Sequence, residues 1–147
     1  MANSYRTYGV TSDIVRGVSR MMLEHGHAPL PEFSLPTGRR LDIAAVTGSG
    51  EIVGIEIKVS VDDFRGDMKW PEYLEYCDHY YFAVPDGFPQ EILPDGQGLI
   101  IADRFGGAIL RPSATSTISA ARRKAMLIRF ARVAAERHAR LLDPPVL

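Results

Sequence analysis

The chain has 147 residues, of which 46% are hydrophobic and 24% are charged, the composition of an ordinary globular domain with a substantial core. No apolar run approaches the roughly 20 residues that a membrane-spanning helix needs, and the polar N-terminus is unlike a secretory signal. The single cysteine, Cys77, excludes an internal disulfide and a paired-cysteine metal site. These features predict one domain over residues 1–147, located in the cytoplasm and without a membrane partner.

The net charge of −1 is unevenly distributed along the chain. Residues 119–142 carry seven basic side chains and one acidic side chain, Glu136, whereas the preceding residues are acidic overall. A basic segment of this kind is typical of a nucleic-acid-binding face. A solvated helix surface has the same composition, so both interpretations stay open.

The first predicted element is a helix that begins at Thr11 or Ser12, because its apolar residues recur with the 3.6-residue period. Gly26 is predicted to end it. Residues 27–38 contain three prolines and predict an extended connector, with a short strand only around 33–35.

Two strands are predicted next, at 41–46 and 51–60, and the turn between them makes a hairpin. Pro71 suits the first position of a helix, which we predict over 71–79. A strand at 80–84 follows. A strand, a helix and a second strand in this order form a right-handed crossover, so the strands at 51–60 and 80–84 are predicted to be parallel.

The last predicted elements are short strands at 98–102 and 108–110 and a helix over 119–142. On this helix an apolar arc that includes His138 is predicted to face the core, while Arg122, Arg129, Arg137 and Arg140 face away. The predicted order is α-β-β-α-β-β-β-α, an α/β fold in which helices flank a mixed sheet.

The strand at 51–60 carries the residues with the clearest chemical potential. Its residues alternate strictly, so that Glu56 and Lys58 stand side by side on one face, and Asp42 on the preceding strand is predicted at the level of Glu56 or one pair beyond it. Two carboxylates are suited to hold Mg²⁺, or Mn²⁺ as a substitute, which would activate a water for phosphodiester hydrolysis. Lys58 would stabilise the developing charge rather than act as a base. A solvent-facing ion pair on a half-exposed strand gives the same pattern.

The order of these elements resembles the PD-(D/E)XK nuclease superfamily over residues 10–85, with the strand sequence G-I-E-I-K-V at 54–59 as its centre. The stretches 38–43 and 73–84 look more specifically like the MmcB family, bacterial proteins linked to DNA repair. The resemblance implies a restriction-endonuclease-like fold. It also implies that the aspartate and the glutamate named above bind metal and that the lysine completes a catalytic site.

The chain departs from the superfamily at two places. Leu41 stands where many members have proline, and the crossover segment lacks the glutamine that many members carry. A carboxylate from the first helix often completes the metal site of this superfamily, and Glu24 is the candidate, although a plain surface glutamate is equally compatible with its position.

Four further residues are predicted to contact nucleic acid. Arg39 and Arg40 begin the strand that bears the aspartate and are placed to meet a phosphate, although a solvated pair is an equal alternative. Lys69 and Trp70 follow the predicted site, and we expect Trp70 to be exposed and able to stack on a base.

The predicted function is that of a metal-dependent nuclease that hydrolyses phosphodiester bonds of DNA in DNA repair. DNA is the expected partner, with other repair proteins as further partners. The alternative is a non-cleaving DNA-binding or repair-complex module that retains the nuclease fold, and a third hypothesis is a purely structural domain. A homodimer would bring two sites to the two strands of a duplex, but no feature of the sequence requires one.

Overall fold

A six-stranded mixed sheet organises the structure, a computed structural model that describes residues 2–67 and 69–146 and leaves out the side chains of residues 2–8. In the order of both the chain and the sheet, its strands are β1 (Ala28–Ser34), β2 (Arg40–Val46), β3 (Ile52–Ile57), β4 (His79–Val84), β5 (Gly98–Ala102) and β6 (Gly107–Arg111). The helices are α1 (Ala2–Glu24), α2 (Val61–Gly66) and α3 (Ala120–Leu142), with two 3-10 helices at Trp70–Tyr76 and Gln90–Ile92. Helices flanking a mixed sheet are the predicted fold class.

Strand directions follow the predicted crossover. β3 is parallel to β4, and β4 is parallel to β5, whereas the other neighbouring pairs are antiparallel. The connection from β3 to β4 consists of α2 and the first 3-10 helix, not of the single α-helix predicted over 71–79. The sequence did not predict α2, which has only six residues and depends on the Ser60 side chain, whose Oγ accepts a hydrogen bond from the Asp63 N–H at 3.0 Å.

The segment predicted as a connector is an edge strand. β1 pairs with β2 from Ala28 opposite Val46 to Ser34 opposite Arg40. Its prolines argued against a strand, but a proline lacks only the N–H and is tolerated where a strand has a single neighbour. The pairing is interrupted at Glu32, a non-glycine residue with a positive φ of 52°.

The two faces of the sheet have separate apolar cores. On one face α1 packs through Ile14, Val18, Met21 and Met22 against residues that include Ile43 and Ile55. On the other face α3 and the first 3-10 helix cover Phe33, Phe82 and their neighbours. α1 begins well before the predicted start, because the one glycine in its first half costs only about 1 kcal/mol and does not end a helix. Gly26 ends α1 as predicted, with a φ of 79°.

α3 departs from its predicted orientation in its second half. Ser119 caps the helix, accepting a hydrogen bond from the Arg122 N–H, and Met126 is buried. Residues 138–142 are all exposed, so His138 is not the core residue that the helical arc predicted. Residues 138–142 follow the part of α3 that packs on the domain, and there an apolar periodicity no longer means burial.

A buried ion pair anchors the first turn of α3. The Arg123 guanidinium donates to both carboxylate oxygens of Asp78, at 2.5 and 2.6 Å, and to the Gly50 carbonyl at 3.2 Å. Asp78 is 2% exposed and also accepts hydrogen bonds from the N–H groups of Ile52, at 2.7 Å, and Ile118, at 3.5 Å. The pair therefore joins α3 to the end of the sheet at which the central strands β3 and β4 begin.

Candidate metal centre

Asp42 and Glu56 meet where β3 ends. Ile43 pairs with Ile55, so Asp42 lies at the level of Glu56, as the hairpin register predicted. The Asp42 Oδ2 accepts a hydrogen bond from the Ile57 N–H at 2.8 Å, and the Glu56 Oε1 accepts one from the Asp42 N–H at 3.2 Å. Backbone groups of two adjacent strands thus hold both carboxyl groups in place.

Lys58 follows β3 directly and is buried with an acidic partner. Its side chain is 7% exposed, and its Nζ lies 2.8 Å from the Asp67 Oδ2 and 3.9 Å from the Asp63 Oδ1. The Lys58 N–H donates to the Ala83 carbonyl at 3.0 Å, which extends the β3–β4 ladder past the end of β3. No sequence pattern indicates a role for Asp67, because only the path of the crossover brings it back to the lysine.

Burial dominates the electrostatics of the two carboxyl groups. It raises the pKa of Glu56 to about 9, and the neighbouring charge of Asp42 acts in the same direction. It also raises the pKa of Asp42 above its ordinary value, although the Ile57 hydrogen bond and the charge of Lys58 oppose this. Burial acts to raise the pKa of Asp67 too, but the Lys58 hydrogen bond helps to hold it below its ordinary value. The carboxyl pair is therefore a place that favours an added positive charge.

The donor set fits a hydrated divalent cation better than a closed metal cage. Among residues 2–67 and 69–146, no three His, Cys, Asp or Glu side chains are arranged to hold a metal ion. Mg²⁺ keeps several waters and needs only one or two carboxylates, which Asp42 and Glu56 provide. The nearby Tyr80 hydroxyl is buried with no hydrogen-bond partner in the described structure, and after burial the charge of Glu56 contributes most to raising its pKa. An unpaired buried hydroxyl of this kind suits a water in a metal's coordination shell.

Glu24 is not part of this arrangement. It is exposed at the C-terminal end of α1, where Met22 and His25 line a cavity together with Thr47 and Glu51 of the β2–β3 turn. That turn is at the opposite end of the hairpin from the carboxyl pair. The prediction that Glu24 supplies a third carboxylate is therefore wrong, because α1 crosses the sheet and carries its last turn away from the site.

The two predicted arginines have different surroundings. The Arg39 Nε donates to the Glu72 Oε2 at 2.9 Å, so an acidic side chain already occupies it. The Arg40 side chain is 59% exposed and lies beside Asp42 in a surface cleft. Of the two, Arg40 is the better placed to meet a phosphate.

Of the two residues Lys69 and Trp70, the tryptophan is less exposed than predicted. Lys69 is exposed, and within the described structure its side chain has no partner. Trp70 is half-buried, stacked on Tyr80 with ring centroids 6.1 Å apart and edge-on to Phe82 at 5.3 Å. The expectation of an exposed tryptophan is wrong, because the 3-10 helix lays Trp70 against β4.

Most basic residues of α3 contact the protein itself. Arg122 lies over the Tyr76 ring at 4.6 Å, and Arg123 pairs with Asp78. Arg129 donates to the Ser34 carbonyl at 3.3 Å, and Arg137 donates to carbonyls of β1. The prediction that the arginine arc faces away from the domain is wrong for Arg122, Arg129 and Arg137, which dock α3 onto β1 and the crossover.

The fold and site define a mixed α/β domain in which two strand-held carboxyl groups and a buried lysine share one end of the central hairpin. The chain belongs to the DNA repair protein MmcB-like family, whose model matches residues 2–145. It is similar to a solved structure of a protein of unknown function from Silicibacter pomeroyi, with 42% identity and a TM-score of 0.87 over 89% of this chain and 90% of that chain. No curated protein matches the chain. None of the helices in the described residues is both long and apolar enough to cross a membrane.

Proposed function

We propose that the protein is a Mg²⁺-dependent nuclease of the PD-(D/E)XK type that hydrolyses phosphodiester bonds of DNA during DNA repair. The observation that carries this proposal is the convergence of Asp42, Glu56 and Lys58 at the end of β3, with both carboxyl groups held by backbone N–H groups and the ammonium buried beside Asp67. Membership of the MmcB-like DNA repair family supports the link to DNA.

The protein's own groups have distinct roles in this proposal. Asp42 and Glu56 would hold the metal ion, which, when bound, supplies an activated water and neutralises charge on the phosphate. The N–H groups of Asp42 and Ile57 orient the carboxylates. Lys58, fixed by Asp67, would stabilise the charge that develops on the phosphate oxygens, and its burial strengthens that interaction.

Calorimetric titration with Mg²⁺ and Mn²⁺ tests the metal site. Wild type is compared with Asp42→Ala and Glu56→Ala, and Glu24→Ala serves as a control that removes an exposed carboxylate from the far end of the sheet. The same proteins are assayed for cleavage of labelled single-stranded, duplex and flap DNA. We expect metal binding and cleavage to be lost in the two site variants and kept in the control.

Other outcomes point to other functions. A wild type that binds DNA but no metal would refute the nuclease and favour the non-cleaving DNA-binding or repair-complex module. Metal binding that survives both substitutions would place the metal elsewhere on the protein.

A further inference from the structure

A polar cleft opens beside Asp42 on the surface of the protein. Its volume is about 600 Å³, and Thr11 and Ser12 of α1 line one wall. The other wall comprises residues of β1 and β2 and the side chain of Arg137 from α3. Asp42 of the candidate metal centre therefore lines the cleft together with two guanidinium groups, those of Arg40 and Arg137.

Arg137 is held in position for a ligand by the backbone of β1. Its Nη2 donates to the Glu32 carbonyl at 2.6 Å and its Nη1 donates to the Pro31 carbonyl. A guanidinium has five N–H donors, so these two bonds fix the group and leave others for a ligand. Within the described residues, the partner of Arg40 is the Glu32 carboxylate, at the long distance of 4.0 Å between the Nη1 and Oε2 atoms.

We infer that this cleft binds the backbone of single-stranded DNA and leads one phosphate to the carboxyl pair. The inference rests on the proposed nuclease function and specifies its substrate. Arg40, Arg137 and the Ser12 hydroxyl provide donors for phosphate oxygens. Among the side chains that the structure describes, those that line the cleft include no aromatic one. Its arginines contact the phosphate backbone whatever the bases are, so the binding is tolerant of sequence.

The depth of the site excludes an undistorted duplex. Glu56 and Lys58 are each 5% exposed, so the reacting phosphate must enter the protein to reach them. A volume of about 600 Å³ is in the range of clefts that hold a small molecule. Duplex DNA is stiff, with a persistence length of about 50 nm, and does not bend one phosphate into such a recess, whereas a flexible single strand does.

Removing the charge of Glu32 should change the affinity for DNA in the opposite direction from removing that of Arg40. The Glu32 carboxylate is 68% exposed and lines the cleft beside Arg40, where it repels phosphate and partly neutralises the arginine. Glu32→Gln keeps the shape of the side chain and removes the charge, so it should tighten DNA binding. Arg40→Ala should weaken binding on the order of tenfold, the effect of one charge-assisted hydrogen bond.

The experiment is fluorescence anisotropy in EDTA, where no metal is bound and no cleavage occurs. The probes are a fluorescein-labelled oligothymidine and a labelled hairpin duplex of the same length, titrated over a range of salt concentrations. Arg132→Ala and Glu91→Gln are the matched controls, since both residues are exposed, lie outside the cleft and change the charge by the same amount. Thermal unfolding confirms that each variant is folded.

We expect the single strand to bind more tightly than the duplex, Arg40→Ala to weaken it, Glu32→Gln to strengthen it, and the controls to match wild type. The slope of log affinity against log salt should fall by about 0.7 in Arg40→Ala, the value for one phosphate contact on a single strand. Equal affinity for the duplex, no binding of the single strand, or variants that behave like their controls would overturn the inference. None of these results decides the nuclease proposal, which depends on the separate metal titration and cleavage assays.

Discussion

Replacing Arg123 with methionine tests how strongly the buried ion pair with Asp78 stabilises the fold. Methionine keeps most of the side-chain volume but leaves Asp78, which is 2% exposed, with backbone N–H partners alone. Removing one partner of a buried pair costs about 3–5 kcal/mol. The arginine side chain is 25% exposed, so water can partly replace it, and we expect a loss of about 3 kcal/mol in the free energy of unfolding, at the lower end of this range.

Urea unfolding at neutral pH measures this loss. Arg123→Lys keeps the charge but loses the bidentate geometry. Its free energy of unfolding should therefore lie between those of wild type and Arg123→Met. Arg132→Met is the control, because this arginine is 76% exposed and its ion pair in the described structure is with Glu136 on the same helix, at 3.8 Å. Exposed pairs of that kind contribute about 0.3–0.5 kcal/mol.

The pH dependence gives an independent check. Burial acts to raise the pKa of Asp78, but the hydrogen bonds from Arg123 and Ile52 outweigh it and hold the pKa below the ordinary 3.8. The stability from this group is therefore complete above pH 3.8 and is lost as the pH falls through the lower pKa of the folded state. The gap between wild type and Arg123→Met should shrink in acid. A gap below about 1 kcal/mol at neutral pH, far under the expected range, or one that does not shrink, refutes this reasoning.

Three further substitutions have definite expected outcomes. Gly54→Ala places a Cβ 2.5 Å from the sulfur of the neighbouring cysteine and should cost about 1–3 kcal/mol in urea unfolding, whereas Gly48→Ala meets nothing within 4 Å and serves as the control. In EDTA the free energy of unfolding of the wild type should fall as the pH rises from 4.5 to about 9, because folded Glu56 keeps a proton that the unfolded chain releases. Urea unfolding at a series of pH values measures this, and Glu56→Gln should show a flatter dependence on pH. If the protein is a nuclease, Asp67→Asn should lower kcat of DNA cleavage by about 10–100-fold with little change in KM, and Asp67→Glu should restore part of it.

The strand that carries the site was predictable because its signal is local. Period-two alternation in β3 places Glu56 on one face whatever the rest of the chain does, and the short turn before it sets the register with Asp42. A local pattern of this kind needs no knowledge of distant residues. The same is true of the end of α1 at Gly26, which depends on its immediate neighbours.

The errors come from contacts between residues that are distant in sequence. Glu24 was the candidate because the resemblance implies a carboxylate from the first helix, but the direction in which α1 crosses the sheet decides which end of that helix is near Asp42. Asp67 reaches Lys58 because it directly follows α2, a helix of six residues that is too short to show a detectable sequence period. Arg137 bonds to a strand more than a hundred residues earlier, and no pattern within α3 indicates that partner.

Two groups of charged residues lie at opposite ends of β3. The Asp78–Arg123 pair lies where β3 begins, and the Asp42, Glu56 and Lys58 group lies where it ends, a distance of about 20 Å for a strand of six residues. Substitutions that far apart, with no shared partners, change stability nearly independently. Stabilising substitutions at the first end can therefore offset destabilising ones at the second end without altering the geometry of the Asp42, Glu56 and Lys58 group.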